Sequence, residues 1–189
     1  MTTATMKETL LDTAERLVRM HGYSAFSYAD LAAAVGIRKA SIHHHFPAKA
    51  DLGAALVDVY IQRFREVLAR IDHDEASALG KLARYAKIYE ISVQQGLLCL
   101  CGMLSSEMNV LPDDVRARVK TYFKEQLRWL GTVLKAGLAH DEITFPGTPE
   151  RAAEHVLSTV QGACLVAWGA GDQRIVARAT DNLLASLKP

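Results

Sequence analysis

Residues 26–52 read FSYADLAAAVGIRKASIHHHFPAKADL. Ser27, followed three residues later by Asp30, has the spacing of a capping box that opens a helix. Leu31, Ala32 and Val35 give that helix an inner face, and Gly36 ends it. A second short helix is expected from Lys39 to His45, closed by Phe46-Pro47. Two short helices joined by a tight turn at Val35-Gly36-Ile37 suit DNA: one helix crosses the backbone while the next enters the major groove. The outer face of the second helix carries Arg38, Lys39, Ser41, His43 and His44, all capable hydrogen-bond donors. Ala40 is small enough to approach base edges closely or to touch a thymine methyl. Ile42 and Phe46 are expected to point the other way, into a core. Lys49 starts the following helix, where its charge and the exposed backbone N–H groups would hold a phosphate.

Helical spacing extends to both sides of this stretch. Leu10, Ala14, Leu17, Val18 and His21 follow one face, and Gly22 stops that first helix. From Lys49 a long helix is expected, with Leu52, Leu56, Val59, Tyr60, Phe64, Val67, Leu68 and Ile71 along one stripe. Asp72-His73-Asp74 then reads as a connector. Further helices are expected over 77–95, 97–108 and 112–138. Thr148-Pro149-Glu150 supplies a hydroxyl cap, a first-turn proline and an acid, and opens a helix to Ala170. Gly171-Asp172 separates it from a last helix over 173–187. The expectation is an all-α protein of about nine helices, with a head over 1–48 and a helical domain over 49–189.

Composition agrees and excludes other classes. Hydrophobic residues make up 50% of the 189 and charged ones 23%, enough for a real core in an ordinary globular chain. No apolar run reaches about 18 residues, so a membrane span is not expected. Glu8, Asp12 and Glu15 fall where a signal peptide would be apolar, so the protein is expected in the cytoplasm. A net charge of +1 means that any positive charge meant for DNA must be placed locally. Cys99, Cys101 and Cys164 are odd in number, which does not suit a secreted disulfide framework.

The stretch 26–52 resembles the signature of the TetR family of transcriptional regulators, and the length and helical layout of the remainder agree with it. The resemblance implies a three-helix DNA-binding head and a variable helical body that binds a small molecule and dimerises. Carried over by position, Ser27 and Tyr28 begin the helix that touches backbone phosphate. Arg38, Lys39, Ala40 and Ser41 match the reading turn of the recognition helix. His44 matches a position that faces DNA, and Lys49 matches a phosphate-contacting lysine. The chain departs from the family at His43, where a tyrosine is usual; imidazole as the donor would make that contact pH-dependent. The triplet His43-His44-His45 is not expected to hold a metal, because consecutive helical residues point about 100° apart and cannot converge on one ion.

The body is less legible. Cys99, Cys101 and Met103 lie in the apolar run 96–104, and two readings stand: core packing, or a thiol that senses an oxidant or electrophile. Cys99 and Cys101, two apart on a helix, would face different directions, so one is expected to point inward. Glu107 either faces solvent or marks the polar end of a pocket. Tyr122, Trp129, His155 and Trp168 either line an effector cavity or pack as core and interface. Ala153, Val156, Leu157, Val160, Cys164 and Ala167 form a small-residue stripe, expected to meet a second subunit; the resemblance implies a four-helix bundle made by the last two helices of two copies. Such a dimer presents two recognition helices about 34–36 Å apart, one turn of DNA, on a palindromic operator.

Three activities are open to such a chain. A regulator requires double-stranded DNA, a homodimer and a small-molecule effector, with no cofactor and no membrane. An enzyme using Cys99 or Cys101 with His155 would need a nucleophile motif, a phosphate loop or paired carboxylates, which the sequence lacks. A helical adaptor for another protein would not need Arg38, Lys39 or Lys49.

Overall fold

A computed structural model describes residues 5–189. It is all-helical across them, with nine helices: α1 (Met6–His21), α2 (Tyr28–Val35), α3 (Lys39–His45), α4 (Lys49–Asp74), α5 (Ala78–Gln94), α6 (Leu100–Ser105), α7 (Asp113–Ala139), α8 (Pro149–Ala170) and α9 (Arg174–Ser186). The first four residues of the head expected over 1–48 lie outside the described residues. No helix among those described is long and apolar enough to cross a membrane.

The helix starts follow local chemistry. Thr5 and Glu8 form a reciprocal capping box on α1, and Ser27 and Asp30 form one on α2. Thr148 caps α8, with Pro149 at its first turn. Two expectations need correction. Asp72-His73-Asp74 is not a connector but the last turn of α4. Nothing there breaks a helix; the break comes at Glu75–Ser77, where the Glu75 carboxylate accepts the Ser77 N–H and hydroxyl, and Ser77 caps α5. The helix expected over 97–108 is only α6, because Leu97–Cys99 run in before it and Ser106 ends it.

The described residues divide into two compact units. One holds the chain through Gln62 together with Cys99–Thr121. In it α1 buries Leu10, Leu11, Ala14 and Val18 and packs on α2 and α6, while α2 packs on α3. The other holds Arg63–Leu98 and Tyr122–Pro189. There α8 packs on α9 and α5, and α5 on α9. α4 and α7 each give their N-terminal part to the first unit and their C-terminal part to the second.

Candidate nucleic-acid interface

Three buried anchors hold α3 in place. Ile42 is fully buried and Phe46 nearly so, each withdrawing an apolar side chain worth about 1.5–3 kcal/mol from water. Tyr28 is also buried, and its hydroxyl donates to the Phe46 carbonyl at 2.9 Å, tying the start of α2 to the end of α3. Of the pair expected to begin the helix that touches phosphate, Tyr28 is therefore turned inward and Ser27 is exposed. Burial, and then the charges of Asp51 and Tyr23, push the Tyr28 phenol up to about 12. Between the helices Gly36 takes φ +76°, the left-handed cap that closes α2 with an N–H to the Ala32 carbonyl.

With α3 fixed from below, its other face is outward. Arg38, Lys39, Ala40, Ser41, His43 and His44 are all exposed, together with Ser27 at the cap of α2. No acidic residue lies on α3. The row therefore combines two basic side chains with hydroxyl and imidazole groups on one side of a short helix. His43 packs edge-on against Tyr28, with ring centroids 4.9 Å apart, and its Nδ1 lies 3.0 Å from the Pro47 carbonyl. A carbonyl only accepts, so Nδ1 carries the proton. In neutral imidazole Nε2 is then an acceptor, and only the imidazolium donates Nε2–H outward.

Lys49 is placed differently from the phosphate contact expected of it. Its ammonium donates to the carbonyls of Tyr23 at 2.6 Å and Phe26 at 2.5 Å, and lies over both their rings. Partial burial lowers its pKa against the opposing pull of Glu107 and Asp30. Glu107, expected to face solvent or to mark the polar end of a pocket, is half-buried against the α1–α2 connector. Its carboxylate accepts the backbone N–H of Tyr23 at 2.6 Å and of Ser24 at 2.8 Å. Burial pushes its pKa up, but the bonds from Ser24 and Tyr23 and the charge of Lys49 together outweigh burial and leave it low. The α1–α2 connector is thus gripped by Lys49 on its carbonyls and by Glu107 on its amides. Gly22 sits beside this grip at φ +90°, where a Cβ would come 2.6 Å from the Glu107 Oε1. Pairing across 84 residues leaves no local signal; an isolated acid after an apolar run is the only trace.

The cysteines both point inward. Cys99 and Cys101 are almost wholly buried, because Cys99 precedes α6 in an extended conformation and the helical angle does not apply to it. The Tyr60 hydroxyl donates to Cys99 Sγ at 3.7 Å, and burial pushes the Cys101 thiol well above its usual value. Met103 on α6 is half-buried.

In the second unit Tyr122 is buried in an aromatic cluster with Phe64, Tyr85 and Tyr89. Trp129 stacks on Tyr85 at 5.5 Å between centroids, while Trp168 is 45% exposed on α8, away from any such packing. His155 is exposed beside a cavity of about 320 Å³ between the start of α8 and the C-terminal end of α9. The stripe Ala153, Val156, Leu157, Val160, Cys164 and Ala167 is corrected as a subunit contact. All six are buried by this chain alone, since α8 lies on α5 and α9. The apolar side chains that α8 leaves exposed are Leu165, Val166 and Trp168.

Comparison with known proteins places this geometry. Residues 10–56 match the family model of bacterial regulatory proteins, tetR family. The chain is 30% identical over 153 residues to the transcriptional regulator AcuR of Cereibacter sphaeroides, spanning 76% of this chain and 68% of that protein. It is 27% identical over 167 residues to the HTH-type transcriptional repressor NemR of Escherichia coli, spanning 85% and 83%. A solved TetR-family transcriptional regulator from Agrobacterium tumefaciens superposes with a TM-score of 0.94 at 35% identity, over 97% of both chains.

Proposed function

Because this chain belongs to the TetR family of bacterial transcriptional regulators, we propose that it is a dimeric repressor, released from a palindromic operator by a small molecule. The observation that carries the reading is the exposed row Arg38, Lys39, Ala40, Ser41, His43 and His44, held rigid by buried Ile42, Phe46 and Tyr28. Arg38 and Lys39 supply the salt-dependent phosphate and base-edge contacts, and Ala40 and Ser41 the close approach. Ser27 meets backbone phosphate at the start of α2. Lys49 and Glu107 are positioning residues that set the α1–α2 connector. The DNA-binding head spans 1–48, and the protein works in the cytoplasm, where its DNA is.

Similarity to a named repressor supports repression rather than activation. For the dimer contact, Leu165, Val166 and Trp168 replace the buried stripe, since only exposed apolar surface gains by association. The effector binds the second unit around Tyr122 and Trp129. Phe64 brings α4 to that cluster, and the same helix begins at Lys49 in the head. A ligand that favours a different α4 position therefore changes operator affinity, to the extent that it binds that state more tightly. An oxidant or electrophile signal is the weaker alternative, because a buried thiol with a raised pKa is a poor nucleophile.

The test is a gel shift with the DNA upstream of the chain's own gene, over a range of salt. A specific shift whose logarithmic salt slope falls in Arg38→Ala and Lys39→Ala supports the reading. A shift unaffected by both substitutions, with unchanged salt slope, sinks the α3 row as the DNA contact, and no specific shift at all favours the protein-binding adaptor.

A further inference from the structure

The second unit buries a polar group that its own fold does not satisfy. On α7, Tyr122, Gln126 and Trp129 follow at four- and three-residue spacing, so they share one face. The flanking members of that face both meet α5. The hydroxyls of Tyr122 and Tyr89 are 3.2 Å apart, and Trp129 stacks on Tyr85. Gln126 lies between them and is 2% exposed, yet its Oε1 has no hydrogen-bond partner among the described residues. A buried acceptor without a donor costs about 1–3 kcal/mol. Thr180, the other buried residue of this polar kind, satisfies itself on the Val176 carbonyl.

The surroundings define what would supply the donor. Tyr85, Tyr89 and Tyr122 pass their hydroxyls in a line, 3.1 and 3.2 Å apart, and Phe64 closes edge-on against Tyr122. All four are buried. No Asp, Glu, Lys or Arg among the described residues is fully buried, so a charged ligand would find no buried counter-ion. Flat aromatic walls favour a flat ring, and an orphan carbonyl favours a hydroxyl that donates. Trp129 also lines a surface groove of about 340 Å³ along α4 and α7, and its Nε1 donates to Asp72 Oδ2 at 2.8 Å. One face of its ring thus belongs to the buried cluster, and its edge belongs to the surface.

We propose that Gln126, with Tyr89 and Tyr122, forms the effector site for a neutral phenol, and that Trp129 is the gate through which the phenol enters from the α4–α7 groove. The ligand hydroxyl donates to Gln126 Oε1 and extends the line of tyrosine hydroxyls, while its ring takes the place vacated as Trp129 leaves Tyr85. The inference deepens the effector reading above and rests on it.

The experiment is calorimetric titration of the full chain with 4-methylphenol, toluene and 4-methylbenzoate, with tryptophan fluorescence read in parallel. The expected result is one saturable 4-methylphenol per chain, with a fluorescence change that Trp129→Phe abolishes. Toluene and 4-methylbenzoate should bind at least tenfold more weakly. Gln126→Leu should weaken 4-methylphenol at least tenfold without lowering the melting temperature. Should Gln126→Leu fail to fold, Tyr89→Phe, which keeps the ring and removes a hydroxyl, is expected to weaken binding in the same direction. Absence of saturable 4-methylphenol binding, equal binding of toluene, or unchanged affinity in the substituted proteins overturns the proposal. Operator binding without ligand is measured separately. An intact gel shift with no 4-methylphenol binding rejects only the phenol site. Phenol binding without any gel shift rejects the regulator instead.

Discussion

Replacing Glu107 with Gln tests whether a residue far along the chain sets the geometry of the head. The carboxylate accepts two backbone N–H groups, from Tyr23 and Ser24, and hydrogen bonds to a charged acceptor contribute about 1.5–3 kcal/mol each. Glutamine keeps one carbonyl oxygen, so one bond survives at the weaker neutral strength, and its amide turns N–H against N–H at the other. Water reaches the exposed Ser24 and recovers part of that loss. The expected net cost is about 2 kcal/mol, or a fall of roughly 4–8 °C in melting temperature for a chain of this size. The assay is thermal unfolding by circular dichroism as a function of pH. Because the folded Glu107 is more acidic than an unfolded one, its contribution is complete above the unfolded pKa of about 4.3 and is lost as pH falls through the lower folded value. Wild type and Glu107→Gln should therefore differ by a constant amount at neutral pH and converge in acid. Gly22→Ala should destabilise on two counts, its φ of +90° and the 2.6 Å approach to Glu107 Oε1; in a Glu107→Ala background only the backbone part, about 1–3 kcal/mol, should remain. Equal stability of Glu107→Gln and wild type at pH 7, or a gap that persists unchanged into acid, would refute the grip on the connector.

Three more outcomes follow from the same geometry. His43→Ala should weaken operator binding in a gel shift, because it removes the ring that packs on Tyr28 and whose Nδ1–H is held by the Pro47 carbonyl; unchanged binding would remove His43 from the interface. Light scattering should find the proposed dimer in the unsubstituted chain and a monomer in Leu165→Glu with Trp168→Glu, while Val160→Glu, at a fully buried position, should unfold the chain. A soluble disulfide reagent at pH 7.5 should label Cys101 far more slowly than it labels the urea-unfolded chain, since burial both shields that thiol and disfavours its thiolate; equal rates would revive the oxidant signal.

Much of the fold was legible because its signals are local. The capping box at Ser27–Asp30, the Thr148-Pro149 start and the left-handed Gly36 are each settled within four residues of chain. The outward row on α3 was legible for the same reason: a seven-residue helix with Ile42 inside has only one other face. Where a reading failed, the deciding partner was distant or the backbone had left the helix. The α8 stripe reads as an interface from its small residues, but periodicity says only that a face is buried, not whether α9 or a second copy buries it. Cys99 turned inward because it lies before α6 rather than in it.

The sequence by itself determined the all-helical class, the helix-turn-helix head and the residues that α3 leaves exposed, because helix signals and binary patterning act between near neighbours. Only the tertiary structure decided that Lys49 spends its charge on two carbonyls, that Glu107 answers it from 58 residues further along the chain, and that Gln126 is buried without a donor. Those are questions of which polar groups meet once water is excluded. The answer depends on contacts between residues far apart in the chain, which no local pattern encodes.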